Sequence, residues 1–341
     1  MAKLGVNVSH ATGSQSFTQT LRKVVARRVR GIRYLFRYTS EFGDAERNGL
    51  DVLIVDEAHR IRLVTSYPFM KPHKRSGVGQ ADELVRAARV PVFLLDEHQG
   101  VRPQEIGTVA SIEEACARNG AEVHKVALDG QFSCGGSETY VRWVERLLGL
   151  RPGGPQPWPG DDTFQLAIAK SPIRMEEELR RKIEEGYTAR ITAGFCWPWS
   201  KPRPDGTLVD DIVIGSWRRP WNMNAKAALD GIPPSALWAT DDGGFGQVGC
   251  IYTAQGFEYD YGAAIIGTDL VWREDHWESS AAASRDPNVR KADNFDVLTR
   301  NTYKVLLTRG LLGCVIYSVD DETRHMLAGL RVPALAGATH E

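Results

Sequence analysis

No stretch of the chain is apolar for the roughly 18 residues that a membrane span requires, and the opening MAKLGVNVSH holds no hydrophobic signal core. A membrane protein and an exported one are both excluded on this reading, and a cytoplasmic location is the expectation. Cysteine is scarce as well. Cys116, Cys134, Cys196, Cys250 and Cys314 are odd in number, widely spaced and never arranged as C-x-x-C, which argues against a disulfide framework and a zinc ribbon. Charge of one sign is lacking too, with a formal net of −1, and no internal repeat of fixed period is visible.

What is present is ordinary globular material: 341 residues, 42% hydrophobic and 25% charged. Single cores stop growing near about 250–300 residues, so two domains are expected. Residues 1–150 carry 21 Lys/Arg against 17 Asp/Glu and residues 151–341 carry 21 against 26, a small asymmetry between a basic and an acidic half. The basic excess is concentrated in 22–37, with seven basic residues and no acid, interleaved with Tyr34 and Phe36 and followed by Tyr38. That run fits either a solvated helix face or an electrostatic track with stacking groups.

Short aliphatic runs that end in acids mark buried strands: Val52–Val55 before Asp56, and Val90–Leu95 before Asp96. Helical segments are expected at Gly79–Arg89, Ile112–Asn119 and Glu138–Leu148. The segment 151–162, RPGGPQPWPGDD, cannot sustain helix or strand and reads as a linker between a first domain over 1–150 and a second over 163–330. The second block shows apolar or strand-like runs at Phe164–Ala169, Ala189–Ala193, Val248–Thr253, Ala263–Gly267 and Gly313–Ser318, with a helix at Met175–Gly186. Residues 279–294, polar and small, are expected to form a mobile insertion. Strands alternating with helices in two blocks predict an α/β fold of two RecA-like domains with mostly parallel sheets, and function at the carboxyl ends of the strands.

The sharpest chemical signal is Asp51-Val-Leu-Ile-Val-Asp56-Glu57-Ala58-His59, a strand that delivers two adjacent carboxylates. In nucleotide hydrolysis one acid holds Mg²⁺ and the next orients and deprotonates water. Asp56 and Glu57 suit those roles. Asp56 as a helix N-cap, or a metal-dependent nuclease site built on Asp56, His59 and His98, are the other readings of the same residues. The next strand ends in Asp96-Glu97-His98-Gln99, where an amide can hold attacking water without competing as a base.

With these segments in view, the chain resembles the schlafen group 3-type DNA/RNA helicase domain, a superfamily 1-like family, from Gly5 to about Val319. Asp56-Glu57-Ala58-His59 resembles its Walker B motif, Asp96-Glu97-His98-Gln99 motif III, and Gln131-Phe132-Ser133-Cys134-Gly135-Gly136 motif IV. The run Tyr252 to Asp260 resembles motif V and Asn301 to Gly310 motif VI, while His10 to Ser16 resembles motif Ia. The resemblance implies a nucleic-acid-dependent ATPase motor that uses ATP and Mg²⁺ and binds single-stranded DNA or RNA. It implies Asp56 on magnesium, Glu57 as base, and Gln99 and Arg309 reading the γ-phosphate. Phe132 would stack on adenine or else fill the core, Gly256 and Glu258 would approach the nucleotide, and Thr12, Ser14 and Thr253 would contact nucleic acid. Trp197, Trp199, Trp217 and Trp221 cluster around prolines, where packing and base stacking are both open.

Two departures stand against the family pattern. No G-x-x-x-x-G-K-[ST] occurs in the chain, whose sequence opens near motif Ia, and Ser133 stands where motif IV has an arginine. Turnover by this chain alone is therefore expected to be weak or absent, the first RecA-like domain is expected to be incomplete, with an open edge and partial instability, and a binding-only or scaffold protein is the alternative.

Overall fold

The computed structural model describes residues 5–24, 32–65, 76–96, 99–127, 133–224, 229 and 231–335. The chain divides into two compact units, Met1–Ala127 and Leu128–Glu341. In the first, β1 (Val8–Thr12) turns into α1 (Gln15–Val24), and β2 (Phe36–Tyr38) and β3 (Leu50–Asp56) follow. After α2 (Gln80–Ala87), β4 (Ala88–Phe93) and α3 (Val109–Asn119) complete the unit. All neighbours in the sheet, ordered β2-β1-β3-β4, are parallel.

Local chemistry sets the ends of α3. The Thr108 side chain accepts from the Ser111 amide while the Ser111 hydroxyl returns the bond to the Thr108 amide, and Gly120 closes the helix in the left-handed region at φ 68°. Leu53 and Val55 on β3 pack with Leu84, Val85, Ile112 and Ala115 to form this unit's core. Asp82 is held by both Arg118 and Asn119 at 2.9–3.1 Å, which ties α2 to α3.

The second unit begins, within the described residues, with α4 (Glu138–Leu147), followed by β5 (Gln165–Ile168), α5 (Pro172–Glu184) and β6 (Ala189–Ala193). A hairpin of β7 (Ile212–Ile214) and β8 (Trp217–Arg219) precedes β9 (Val248–Gly249), the single turn α6 (Ile251–Ala254) and β10 (Tyr259–Ile266). A second hairpin, β11 (Leu270–Arg273) and β12 (His276–Ser279), leads to α7 (Phe295–Leu307), β13 (Gly310–Ser318) and α8 (Asp321–Gly329). The main sheet is parallel throughout, in the order β5-β13-β10-β6-β9. A parallel sheet covered on both faces reads as unbroken apolar sequence. Accordingly, Ala263, Ala264, Ile265 and Ile266 on β10 and Val315 and Ile316 on β13 are all buried. Ser171 caps α5 by accepting from the Arg174 amide, and Pro172 fills its first position, where no amide partner is needed.

The α/β class and its parallel sheets are as the sequence announced, and several boundaries differ for identifiable reasons. Val248–Thr253 is not one strand, because the Cys250–Thr253 capping box starts a helix two residues in. Segment 151–162 has neither helix nor strand, yet it lies inside the second unit, where Trp158 is buried and its amide donates to the Leu330 carbonyl at 2.7 Å. Packing places α4 in that unit as well. Tyr140 stacks on Phe164 with centroids 4.0 Å apart and donates to the Leu307 carbonyl at 2.9 Å. Of residues 279–294, Ser279 ends β12 and the rest form turns rather than regular elements, with Val289 packed on Phe295 and Leu298, and Asp286 buried. No helix among the described residues is long and apolar enough to cross a membrane.

Candidate active site

Three parallel strands of the first unit end at one place. Thr12, the last residue of β1, is in register with Asp56, the last of β3. The β3–β4 pairing runs on past β4, with the Leu94 amide on the Val55 carbonyl at 2.9 Å and the Ala58 amide on the Leu94 carbonyl at 2.8 Å. Those bonds bring the Asp96 loop beside the Asp56–Glu57 turn. Gln99 donates from Nε2 to Asp96 Oδ2 at 2.9 Å. The segments that resemble motif Ia, the Walker B motif and motif III therefore converge at the carboxyl edge of one sheet, where an open α/β fold puts its ligands.

The two carboxylates differ in surroundings. Asp56 Oδ1 accepts the Glu57 amide at 2.9 Å, and His10 Nε2 lies 3.4 Å from Asp56 Oδ2. Burial pushes the Asp56 carboxyl up, but the His10 hydrogen bond and charge, the Glu57 amide and His59 outweigh it, and the group sits below its ordinary value. It is therefore ionised and still partly open to solvent, which fits a carboxylate that takes a divalent cation. Glu57 sits in the left-handed region at φ 51°, ψ 49°, uncommon for a residue with a side chain. Arg60 holds its carboxylate at 3.2 Å and reaches Glu105 at 3.4 Å. Glu105 in turn accepts the Val101 and Arg102 amides at 3.0 and 3.1 Å. Arg60 thus ties Glu57 to the loop over residues 101–105. Burial lowers His59 to about 4, against the pull of Glu57, so it is neutral near pH 7.

Thr12 and Ser14 are buried, and their side-chain oxygens accept amides of the turn into α1, from Ser14 at 3.0 Å and Phe17 at 3.3 Å. They shape the turn. Gly13 and Gly107 are required by close approach: a Cβ on Gly107 would stand 1.9 Å from the Ala58 carbonyl oxygen, and one on Gly13 2.9 Å from Arg60 Cβ. Sequence reasoning passed over His10, Arg60, Glu105 and Gly107 as site-building residues. The first three are polar side chains whose partners are remote in sequence or a turn away, and a glycine announces nothing of what approaches it.

In the second unit two of the expected residues stand at the amino ends of strands instead, while Thr253 lies in α6, just past the carboxyl end of β9. Glu258 and Arg309 directly precede β10 and β13, and the Tyr259 amide donates to the Arg309 carbonyl at 3.2 Å. Gly135 approaches the Leu311 carbonyl so closely that a Cβ would lie 2.5 Å from it, and Cys134 feels the charges of both Arg309 and Glu258. Glu258 is exposed, while Arg309 is buried with Nε on the Val305 carbonyl at 3.0 Å. Gly256 has φ 87°, a conformation that suits glycine alone. Thr253 is buried, its hydroxyl shared among the Cys250 amide, the Cys250 carbonyl and Asn222 Oδ1 at 3.0–3.2 Å. Phe132, Glu97 and His98 lie outside the described residues, as does 25–31 of the basic run. Among the described residues no group of three or more His, Cys, Asp or Glu could hold a metal ion; His98, named for the nuclease ligand set, is not one of them.

Two units of parallel sheet, the first with acid-bearing loops converging at its own carboxyl edge, define a RecA-like α/β class of protein. The family model for the Schlafen group 3 DNA/RNA helicase domain matches residues 1–320, and the chain belongs to that family. It is also similar to the uncharacterized protein YPL245W of Saccharomyces cerevisiae, 24% identical over 312 residues, covering 81% of this chain. The chain spans about 64% of that relative's length.

Proposed function

We propose that this chain serves a nucleic-acid-dependent ATPase of the helicase type, with single-stranded DNA or RNA as its partner. The observation that supports it most is the convergence of Thr12, Asp56, Glu57, Asp96 and Gln99 at one sheet edge in a helicase-domain family member. In this reading Asp56 holds Mg²⁺, which would neutralise charge on the phosphates of ATP. Glu57, oriented by Arg60, accepts a proton from water, and Gln99 holds that water by hydrogen bonds. Gly256 allows close backbone approach, Glu258 accepts from ribose hydroxyls, and Arg309 stabilises developing charge at the γ-phosphate.

ATP hydrolysis with and without single-stranded DNA or RNA tests this, with Glu57→Gln as control. Because the 341 residues contain no G-x-x-x-x-G-K-[ST], turnover is expected to be low, and its stimulation by a single strand is the quantity to read. Loss of about 10²-fold or more in Glu57→Gln supports the base assignment. That missing sequence also favours a second reading, a binding module without an engine. Absent turnover together with salt-dependent binding that ignores nucleotide would establish it over the first.

A further inference from the structure

Four aromatic side chains beyond the carboxyl end of β6 have no part in the chemistry above. Phe195, Trp197 and Trp199 leave the strand in succession, half-buried, and lean on Trp221, which is 2% exposed. Ring centroids lie 5.6 Å apart for Phe195–Trp221, 5.8 Å for Phe195–Trp199, and 6.4 Å for Trp197–Trp221 and Trp199–Trp221. Under these rings, Trp221 Nε1 and Asn222 Nδ2 are buried and have no acceptor among the described residues. Both are donors only, so the complement they lack is an acceptor.

The other polar groups of Asn222 are committed. Its carbonyl accepts from Trp199 Nε1 at 2.8 Å, its amide donates to the Val248 carbonyl at 2.8 Å, and its Oδ1 meets the Thr253 hydroxyl at 3.0 Å. One residue therefore joins the rings to motif V. The rim is basic: Lys201 and Arg285 are exposed, and the Arg285 amide donates to the Phe195 carbonyl at 2.7 Å. Two nearby acids are engaged, Asp211 with Ser200 at 2.8 Å and Asp286 with Tyr252 at 2.5 Å, while Asp210 beside Asp211 is exposed.

We propose that Phe195, Trp197 and Trp199 form a stacking platform for unpaired bases, with Lys201 and Arg285 on the adjoining phosphates and Asn222 linking the platform to Thr253. The inference rests on the single-strand reading above and names residues for it. Half-buried aromatic rings beside cations suit a ligand with π-faces on an anionic, acceptor-rich backbone, and stacking of this kind tolerates any base.

The test uses a bromodeoxyuridine-substituted single-stranded oligonucleotide, photo-cross-linked to the intact chain and mapped by peptide mass, together with anisotropy titrations. Cross-links are expected within 195–199. Trp197→Leu is expected to weaken binding about ten-fold and Trp197→Phe to retain most of it. Arg285→Ala is expected to lower the slope of log affinity against log salt by about one. Cross-links confined to other segments overturn the platform whatever the variants do, and they decide the matter if Trp197→Leu does not fold. Failure of the unsubstituted chain to bind any single strand overturns the underlying reading instead.

Discussion

β4 and β10 belong to all-parallel sheets and meet opposite fates. β10 runs between β13 and β6 with nearly every residue buried, whereas β4 stands at the end of its sheet with Val90 53% and Val92 38% exposed. A parallel sheet is stable when helices cover both faces and its edges are short or guarded. The second unit achieves this largely with its own elements, packing Met175 and Leu179 of α5 against Ile191, Ala263 and Val315. The first unit presents an apolar edge and builds a smaller cluster on α2 and α3. The first sheet carries its acid pair at the carboxyl ends of its strands, whereas Glu258 and Arg309 directly precede strands of the second. The unit with the acid pair is thus the less completely buried one.

The largest expected effect follows from that contrast. Ile316→Ala, at a fully buried position of β13, should cost about 2–5 kcal/mol in chemical denaturation, while Val92→Ala on β4 should cost under about 1 kcal/mol. Equal costs would break the comparison. All nine tryptophans lie in Leu128–Glu341, so tryptophan fluorescence follows the second unit alone. Loss of far-ultraviolet circular dichroism should begin before the fluorescence change. Coincident curves would instead show a single cooperative molecule.

Acid should separate the units further. His59 is lowered to about 4 in the folded chain, so between its ordinary value of about 6.5 and about 4 the unfolded state binds a proton that the folded state does not. Stability is complete above that window and falls as pH drops through it, by up to about 3 kcal/mol. Asp269 in the second unit moves the other way. Burial raises it above the usual carboxylate range despite the Tyr303 hydrogen bond at 2.5 Å, so its contribution is present at low pH and is lost as pH rises through the raised value. His59→Gln should flatten the acid limb of the first unit only, as read by denaturation midpoints at pH 4.5 and 7. Tyr303→Phe removes a hydroxyl that donates to Asp269 and accepts the Gly267 amide at 2.8 Å. It should cost about 1–3 kcal/mol, seen in the fluorescence transition. The smallest effect is expected at Arg142→Ala, which breaks an exposed ion pair to Glu138 and should change the midpoint by less than about 0.5 kcal/mol.

The sequence made the strands at Val52–Val55 and Ala189–Ala193 legible because aliphatic runs ended in turn or polar residues, and it placed the acid pair at the right end of its strand. It left β1 unremarked because VSHAT is a weak apolar pattern, and it missed both hairpins because each strand is only three or four residues long. The neighbours of the acids were also hidden. Nothing in local spacing joins Arg60 to Glu105, or His10 to Asp56; the pairing of distant strands does that. Hydroxyls read as nucleic-acid contacts at Thr12, Ser14 and Thr253 serve turns and caps, a competition that short polar side chains often win for the backbone.

Single-strand affinity measured with and without ATP and Mg²⁺, for the intact chain and for Asp56→Asn, tests the motor reading most directly. A motor couples its two ligands, so nucleotide should change that affinity by about five-fold or more, and Asp56→Asn should abolish the change. An affinity that is salt-dependent but indifferent to nucleotide in both proteins would contradict it and leave a nucleic-acid-binding module.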